Sequence, residues 1–232
     1  LALLCGLLTA LTAVDIFGLQ GTARYALDIG LLLIWGFGWL LALGAGAREL
    51  PQEEARGTIF MLLAKPLRRG QMLLGKWLGA WSSVCGAVLL FYLATWGLLA
   101  AQGVRTDPPL LLQAMLLHFC ALGVIAAMGL LCSTRLSRDA AATVAGVASA
   151  VCLLLVPQLP VLAAHGPPTR ALLMQILYYA LPHLELFDVR RRLVHELGTV
   201  DTAAFLWLLL YGAVLTAILL LAAWLAYRRK SF

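Results

Sequence analysis

The chain has 232 residues, of which 62% are hydrophobic and 12% are charged, and its formal net charge is +6. Its mean hydropathy of +0.93 lies far above that of water-soluble domains. A soluble core of this size needs a charged surface around it, and so few charged residues cannot supply one. The composition therefore excludes soluble enzymes and indicates a membrane protein.

Charge-free runs divide the chain into membrane spans. A hydrocarbon core of about 30 Å takes ~20 predominantly apolar helical residues, and five runs reach this length. A sixth run, at the start, is too short to cross, and we expect it to be the remainder of a helix whose upstream residues are missing. We predict an all-α membrane protein with six transmembrane helices, the first one truncated, in a single domain over residues 1–232. The spans are expected at about 1–14, 28–47, 77–102, 109–132, 140–164 and 203–227.

Basic residues are distributed unevenly between the two sides of these spans. Eleven of the 17 Lys and Arg residues lie in the segment 48–76, the loop 135–139 and the C-terminal tail. The other six share the opposite loops with seven acidic residues. The positive-inside rule then places both termini in the cytoplasm and indicates a multi-pass protein.

The predicted spans contain almost no ionisable groups. Carriers driven by ions or protons need such groups at membrane depth, where an isolated charge costs at least ~2.5 kcal/mol. His118 is the ionisable group near the middle of a run, and we interpret it as a neutral imidazole bonded to Ser, Thr or a backbone carbonyl of a neighbouring helix. The spans also lack paired acids and the GxSxG and HExxH motifs, so we expect no catalytic residues.

The stretch between the second and third spans predicts a short helix at the membrane surface. Pro51 suits a first helical position, Glu53 and Glu54 fall in the first turn, and Pro66 ends the helix. Its apolar residues share one face, as in a helix that lies on a membrane. Gly57 costs about 1 kcal/mol relative to Ala, which suits close contact with another molecule. An ordinary amphipathic linker is the alternative.

The stretch Gly70–Lys76 matches the GxxxxGK pattern of phosphate-binding loops. Position 77 is Trp where such a loop needs Ser or Thr for magnesium, and no strand precedes it. We interpret the match as chance. The chain is therefore expected to bind no nucleotide and no cofactor of its own.

Four motifs follow one another around the predicted surface helix. They read Gly-Ala-Gly-Ala-Arg-Glu at 44–49, Glu-Ala-Arg-Gly-Thr-Ile at 54–59, Leu-Leu-Ala-Lys-Pro-Leu-Arg-Arg-Gly at 62–70 and Leu-Leu-Gly-Lys-Trp-Leu-Gly at 73–79. This order resembles ABC-2 type permeases, the membrane subunits of ATP-binding cassette transporters. The Gly-Thr-Ile, Lys-Pro-x-x-Arg and Leu-Gly-Lys patterns are similar to the group linked to copper-enzyme maturation.

The resemblance implies that residues 49–66 form a coupling helix that docks into a groove of a separate ATPase subunit, which binds the ATP. A second permease copy or paralogue, two ATPases and membrane lipid would complete the working exporter, without nucleic acid. Lys76 would begin the third span. The implied ATPase contacts are Glu53, Glu54, Arg56, Gly57 and Thr58, and the implied turn back to the membrane is Lys65, Pro66 and Arg69.

The outer segment, 165–201, separates the fifth and sixth spans. The apolar run Ala171–Leu184 is too short to cross, and it predicts a re-entrant or interfacial helix. An apolar stripe predicts a second helix lying flat on the outer leaflet: Leu186, Val189, Leu193 and Leu197. Four residues invite comparison with a metal site, but their spacing does not fit one, and we predict no metal there: His183, Glu185, Asp188 and His195.

Two other functions stay open from the residues alone. A stand-alone secondary carrier or channel is disfavoured by the scarcity of charges at membrane depth, and an intramembrane enzyme by the missing catalytic motifs. The cargo is also open, since lipid, drug, peptide, polysaccharide and a metal-related sulfur species are all compatible with the sequence.

Overall fold

The structure, a computed structural model, describes residues 22–56, 69–101, 107–165, 167–195 and 197–228. Within these ranges the fold is helical and contains no strand. Two short 3-10 turns lie at Val156–Gln158 and Leu184–Phe187. The α-helices are α1 (Thr22–Arg56), α2 (Arg69–Ala101), α3 (Pro108–Ser133), α4 (Arg138–Leu154), α5 (Leu159–Ala164), α6 (Pro168–Ala180), α7 (Arg190–Val194) and α8 (Thr202–Arg228).

Five stretches of the described chain are long and apolar enough to cross a membrane. They correspond to the second to sixth predicted spans, whereas the predicted first span, 1–14, lies outside the described residues. The helices extend beyond the charge-free runs. A charged residue marks the edge of the hydrocarbon, but it does not end a helix. The candidate spans are Leu27–Glu53, Arg69–Gly97, Pro108–Ser133, Arg138–Ala164 and Thr202–Arg228.

Helix α3 lies at the centre of the bundle. In its most apolar stretch 67% of the residues are buried, against 11% in α8. Helix α1 crosses α3 closely, because small residues face each other there. A Cβ added to Gly46 would lie 2.3 Å from the carbonyl oxygen of Ala126, and one on Gly129 would lie 3.0 Å from the nitrogen of Ala47. This close contact, the α1–α3 seam, needs residues without long side chains.

Four helix termini meet at one end of the bundle, which we call the basic end. There Arg69 Nη1 donates to the carbonyl of Arg228 at 3.1 Å, and Arg135 Nη2 donates to that of Ala226 at 3.1 Å. At the opposite end, the Gln113 amide accepts from the N–H of Val200 at 2.8 Å and donates to its carbonyl at 3.1 Å. These bonds tie the end of α8 to the start of α2 and the end of α3, and the residues just before α8 to α3.

The predicted fifth span, 140–164, consists of two helices rather than one. Helix α4 ends at Leu154, the 3-10 turn containing Pro157 follows, and α5 continues to Ala164. Proline has no N–H to donate and its ring clashes with the preceding turn, so the helix breaks there. Helices α5 and α6 then pack against each other.

The outer segment contains a short helix, α6, over most of the predicted apolar run. The predicted flat helix with its apolar stripe is wrong, because only the five residues of α7 are helical and Leu197 is 63% exposed. Leu184 and Phe187 are fully buried instead. A 3-10 turn and extended backbone replace the 3.6-residue period here, so different side chains face the core.

Candidate coupling site

The last two turns of α1 contain the residues predicted to begin a separate surface helix. Helix α1 continues without interruption to Arg56, and Pro51 lies inside it. The predicted helix start at Pro51 is therefore wrong. Proline removes one hydrogen bond from a helix interior, but Leu50 is fully buried in a small cluster with Leu73 and Tyr227. This packing holds the turn helical despite the missing N–H.

Lys76 joins the end of α1 to the start of α2. Its ammonium group bonds to the carboxylate of Glu53 and lies 3.5 Å from Glu49 Oε2. The Lys76 side chain is only 10% exposed, so solvent screens these contacts less than at an open surface. We call Glu49, Glu53 and Lys76 the α1–α2 clasp. It fixes the two helix ends that flank residues 57–68.

Arg69 begins α2 and ties that helix to the end of α8. Its guanidinium donates to the carbonyl of Arg228 and approaches that of Tyr227 at 3.5 Å, with its Cζ 5.9 Å from the Tyr227 ring. The last carbonyls of a helix have no intrahelical donor and carry the negative end of its dipole. Arg69 therefore binds the end of α8, whereas the sequence predicted only a turn residue at this position.

Three of the residues singled out in the sequence meet at the basic end: Glu53, Arg69 and Lys76. Glu54 and Arg56 belong to the last turn of α1. The other predicted contacts lie outside the described residues, namely Gly57, Thr58, Lys65 and Pro66. The roles of all these residues in ATPase docking stay predictions.

Glu49 is a member of the clasp that the sequence analysis missed. It stands four residues before Glu53, so both carboxylates lie on one face of α1. Two acids at this spacing repel each other unless a cation lies between them. That repulsion is the signal in the sequence that could have indicated a lysine partner.

The stretch Gly70–Lys76 forms the first turns of α2. A phosphate-binding loop wraps around its anion between a strand and a helix. This stretch has no such loop, which agrees with a chance match to the pattern.

An apolar groove of about 840 Å³ opens between α2, α3 and α8. Trp77 and Trp81 line it, and their rings stack 5.3 Å apart and within 5° of parallel. Trp77 Nε1 donates to the carbonyl of Gly123 at 2.9 Å, and Trp81 Nε1 donates to that of Phe119 at 2.8 Å. Both indole N–H groups are thus bonded to α3.

His118 is fully buried in the middle of α3. Its ring stacks on Trp35 with centroids 4.4 Å apart, and its Nδ1 lies 3.2 Å from the hydroxyl of Tyr92. The predicted bond to a neighbouring helix is present, but a tyrosine replaces the expected Ser, Thr or backbone carbonyl. Cys120 faces α8, where its thiol lies 3.9 Å from the carbonyl of Leu209.

The polar residues of the outer segment contact separate partners. Asp188 pairs with Arg190 at 2.6 Å, while the ring of His183 packs edge-on against Tyr178. Burial raises the pKa of the Glu185 carboxyl above its usual value. Across the described part of the chain, no three His, Cys, Asp or Glu side chains group as metal ligands.

Comparison with known families gives a match over almost the whole chain. Residues 6–231 match the family model described as ABC-2 family transporter protein. No curated protein matches the chain. The family match agrees with the motifs around the clasp and with the helical spans. The chain therefore belongs to the ABC-2 family of transporter proteins and is a multi-pass membrane component of an ABC transporter.

Proposed function

We propose that the chain is the permease subunit of an exporter driven by ATP that a separate subunit binds and hydrolyses. Membership of the ABC-2 family supports a membrane component that works with an ATP-binding partner. The α1–α2 clasp is the observation that carries the proposal. It holds together the two helix ends that contain or flank the predicted docking residues.

The clasp gives the ATPase a mechanical connection to the bundle. In our proposal, the ATPase grips residues 49–66 and displaces them when it closes on ATP. A displacement there reaches α1 and α2 together, because Lys76 joins them. Helix α1 passes the displacement to α3 through the α1–α3 seam, where the backbones touch and neither helix can yield alone.

The arrangement in the membrane follows from the charge distribution. The basic end faces the cytoplasm in this proposal, so both termini lie there and the outer segment faces away from it. The membrane is the inner membrane, and two permease copies or paralogues work with two ATPases. The motif similarity to the copper-enzyme maturation group supports, among the cargoes named above, one that is used in copper-enzyme maturation.

Co-purification with the ATPase tests the docking step. Residues 57–63 are replaced by a Gly-Ser linker of equal length, which leaves the clasp intact. We expect membrane insertion to be unchanged and ATPase co-purification to be lost, because the linker removes Thr58 and the following turns of the predicted coupling helix. Replacing Arg191 and Arg192, on the outer segment, by Gln is the control and should preserve co-purification. Unchanged ATPase binding by the linker variant would refute the docking role.

The clasp has its own test, the Lys76→Met variant. The complex should still assemble, but its ATP hydrolysis should lose most of its dependence on the permease, because α2 no longer follows α1. Restored coupling in the Lys76→Arg variant would attribute the loss to the charge. Full coupling in Lys76→Met would contradict the clasp as the connection.

A stand-alone carrier is separated from an ATP-driven permease by flux measurements. Liposomes that contain the chain without its ATPase should show no proton-driven flux, since His118, the histidine buried in the described spans, is held by its contacts with Tyr92 and Trp35. Gradient-driven flux by the chain alone would support the carrier instead.

A further inference from the structure

We propose that the groove between α2, α3 and α8 binds one acyl chain of an anionic phospholipid, whose phosphate lies at the basic end against Arg228. The inference goes beyond the proposed transport function. It concerns a resident lipid on the flank of the bundle and uses neither the docking residues nor the ATPase.

The dimensions of the groove suit an acyl chain. Its lining runs along α8 from Trp224 to Leu209, which is roughly 22 Å at 1.5 Å per residue. One leaflet contributes roughly 15 Å of a 30 Å hydrocarbon core. The groove therefore starts at the basic end and covers the full depth of the adjacent leaflet.

The lining offers an occupant an almost entirely apolar surface. The indole N–H groups of Trp77 and Trp81 are bonded to α3, as described above. The hydroxyl of Thr216 donates to the carbonyl of Gly212 at 2.8 Å, so it too is satisfied within the protein. A polar molecule would lose its hydrogen bonds to water here without gaining new ones, whereas an acyl chain has no such hydrogen bonds to lose.

The mouth of the groove is basic. The guanidinium of Arg228 lies 5.4 Å from the ring of Trp224, a lining residue, and Arg69 donates to the carbonyl of Arg228. Among the described residues no carboxylate forms an ion pair with Arg228. Arginine binds phosphate with two parallel hydrogen bonds, and basic pockets between membrane helices bind anionic headgroups.

Charge also argues against a second copy of the chain as the occupant. Two copies in one membrane have their basic ends at the same level. A copy packed along this groove would bring its own Arg228 towards the same mouth, and charges of one sign would face each other. A lipid phosphate supplies the complementary charge.

Photo-crosslinking tests the site in the complete chain reconstituted in nanodiscs. The probes are phosphatidylglycerol and phosphatidylcholine, each with a diazirine on one acyl chain, and mass spectrometry locates the labelled residues. We expect phosphatidylglycerol to label α2 and α8 along the groove more strongly than phosphatidylcholine does. The Arg228→Gln variant should reduce that labelling about fivefold, the effect of one basic side chain near an anionic surface.

Four further variants separate the site from general lipid contact. Arg228→Lys keeps the charge and should retain most of the labelling. Arg138→Gln removes an exposed arginine at the same end but outside the groove, and labelling should not change. Ala217→Phe fills the groove and should reduce labelling by both lipids, whereas Ala204→Phe on the exposed face of α8 should not.

Two results would overturn the inference. Equal labelling of the groove by both lipids, unaffected by Arg228→Gln, would mean an unspecific lipid contact. No labelling of the groove by either lipid would mean that another occupant, such as a second copy of the chain, fills it. Neither result would affect ATPase co-purification, so the docking proposal is judged separately.

Discussion

The two sides of α3 are built in opposite ways. Towards α1, small residues face small residues, and the backbones touch, because a Cβ on Gly46 would lie only 2.3 Å from the carbonyl oxygen of Ala126. Towards α2, two indoles lie between the helices and bond to carbonyls of α3. The α1–α3 contact leaves no space between the helices, whereas the α2–α3 contact leaves the groove open beside it. Side-chain size at the interface thus decides whether two membrane helices form a seam or a binding surface.

The largest expected effect breaks the seam. Gly46→Ala places a methyl group against a backbone carbonyl that cannot move, so we expect it to lower the free energy of unfolding by about 3 kcal/mol. Gly36→Ala, on the same helix with open space around it, is the matched control. It should leave stability unchanged or raise it by up to about 1 kcal/mol. Denaturant unfolding in detergent micelles measures both, and equal values would refute the seam.

A smaller effect is expected where α3 meets α8. A Cβ on Gly212 would lie 2.2 Å from the thiol of Cys120, but this neighbour is a side chain that can rotate. Gly212→Ala should therefore cost about 1.5 kcal/mol. Adding Cys120→Ala removes the clash with sulfur and should restore part of the loss, with contact to Phe187 accounting for the rest. A double variant no more stable than the single one would contradict this account.

The smallest effect concerns the indoles. Trp81→Phe keeps an aromatic ring beside the groove and removes the bond to the Phe119 carbonyl, so a loss of about 1 kcal/mol is expected. Trp207→Phe, which replaces an exposed indole of α8 outside the groove, serves as the comparison. A loss for Trp81→Phe no larger than that for Trp207→Phe would show that the indole bond to α3 contributes little.

The spans could be predicted from the sequence because burial in lipid leaves a direct mark on composition. Their ends could not, since charge marks the edge of the hydrocarbon and not the end of a helix. Helix α2 begins at Arg69 although its apolar run begins at Trp77, and α1 continues to Arg56. Pro51 misled the prediction because the burial of Leu50, a tertiary contact, decides the local backbone.

The candidate site was predictable in its residue types and not in its pairing. The acids before Gly57 and the lysine at 76 stand out in the sequence, but their contact joins positions 23 residues apart across two helices. The groove could not be predicted either. It depends on Trp77 and Trp81 facing Gly123 and Phe119, and nothing in one sequence sets the register between two helices.

The pairing of two tryptophans with two carbonyls restricts how α2 can slide on α3. Both pairs are spaced by four residues, so a shift by one or two residues would leave both indole N–H groups without an acceptor. A shift by one whole turn, about 5.4 Å, would bring Trp81 to the carbonyl that Trp77 now uses. Any sliding of α2 along α3 therefore proceeds in steps of one helical turn, and the two helices have discrete stable registers rather than a continuous range of positions.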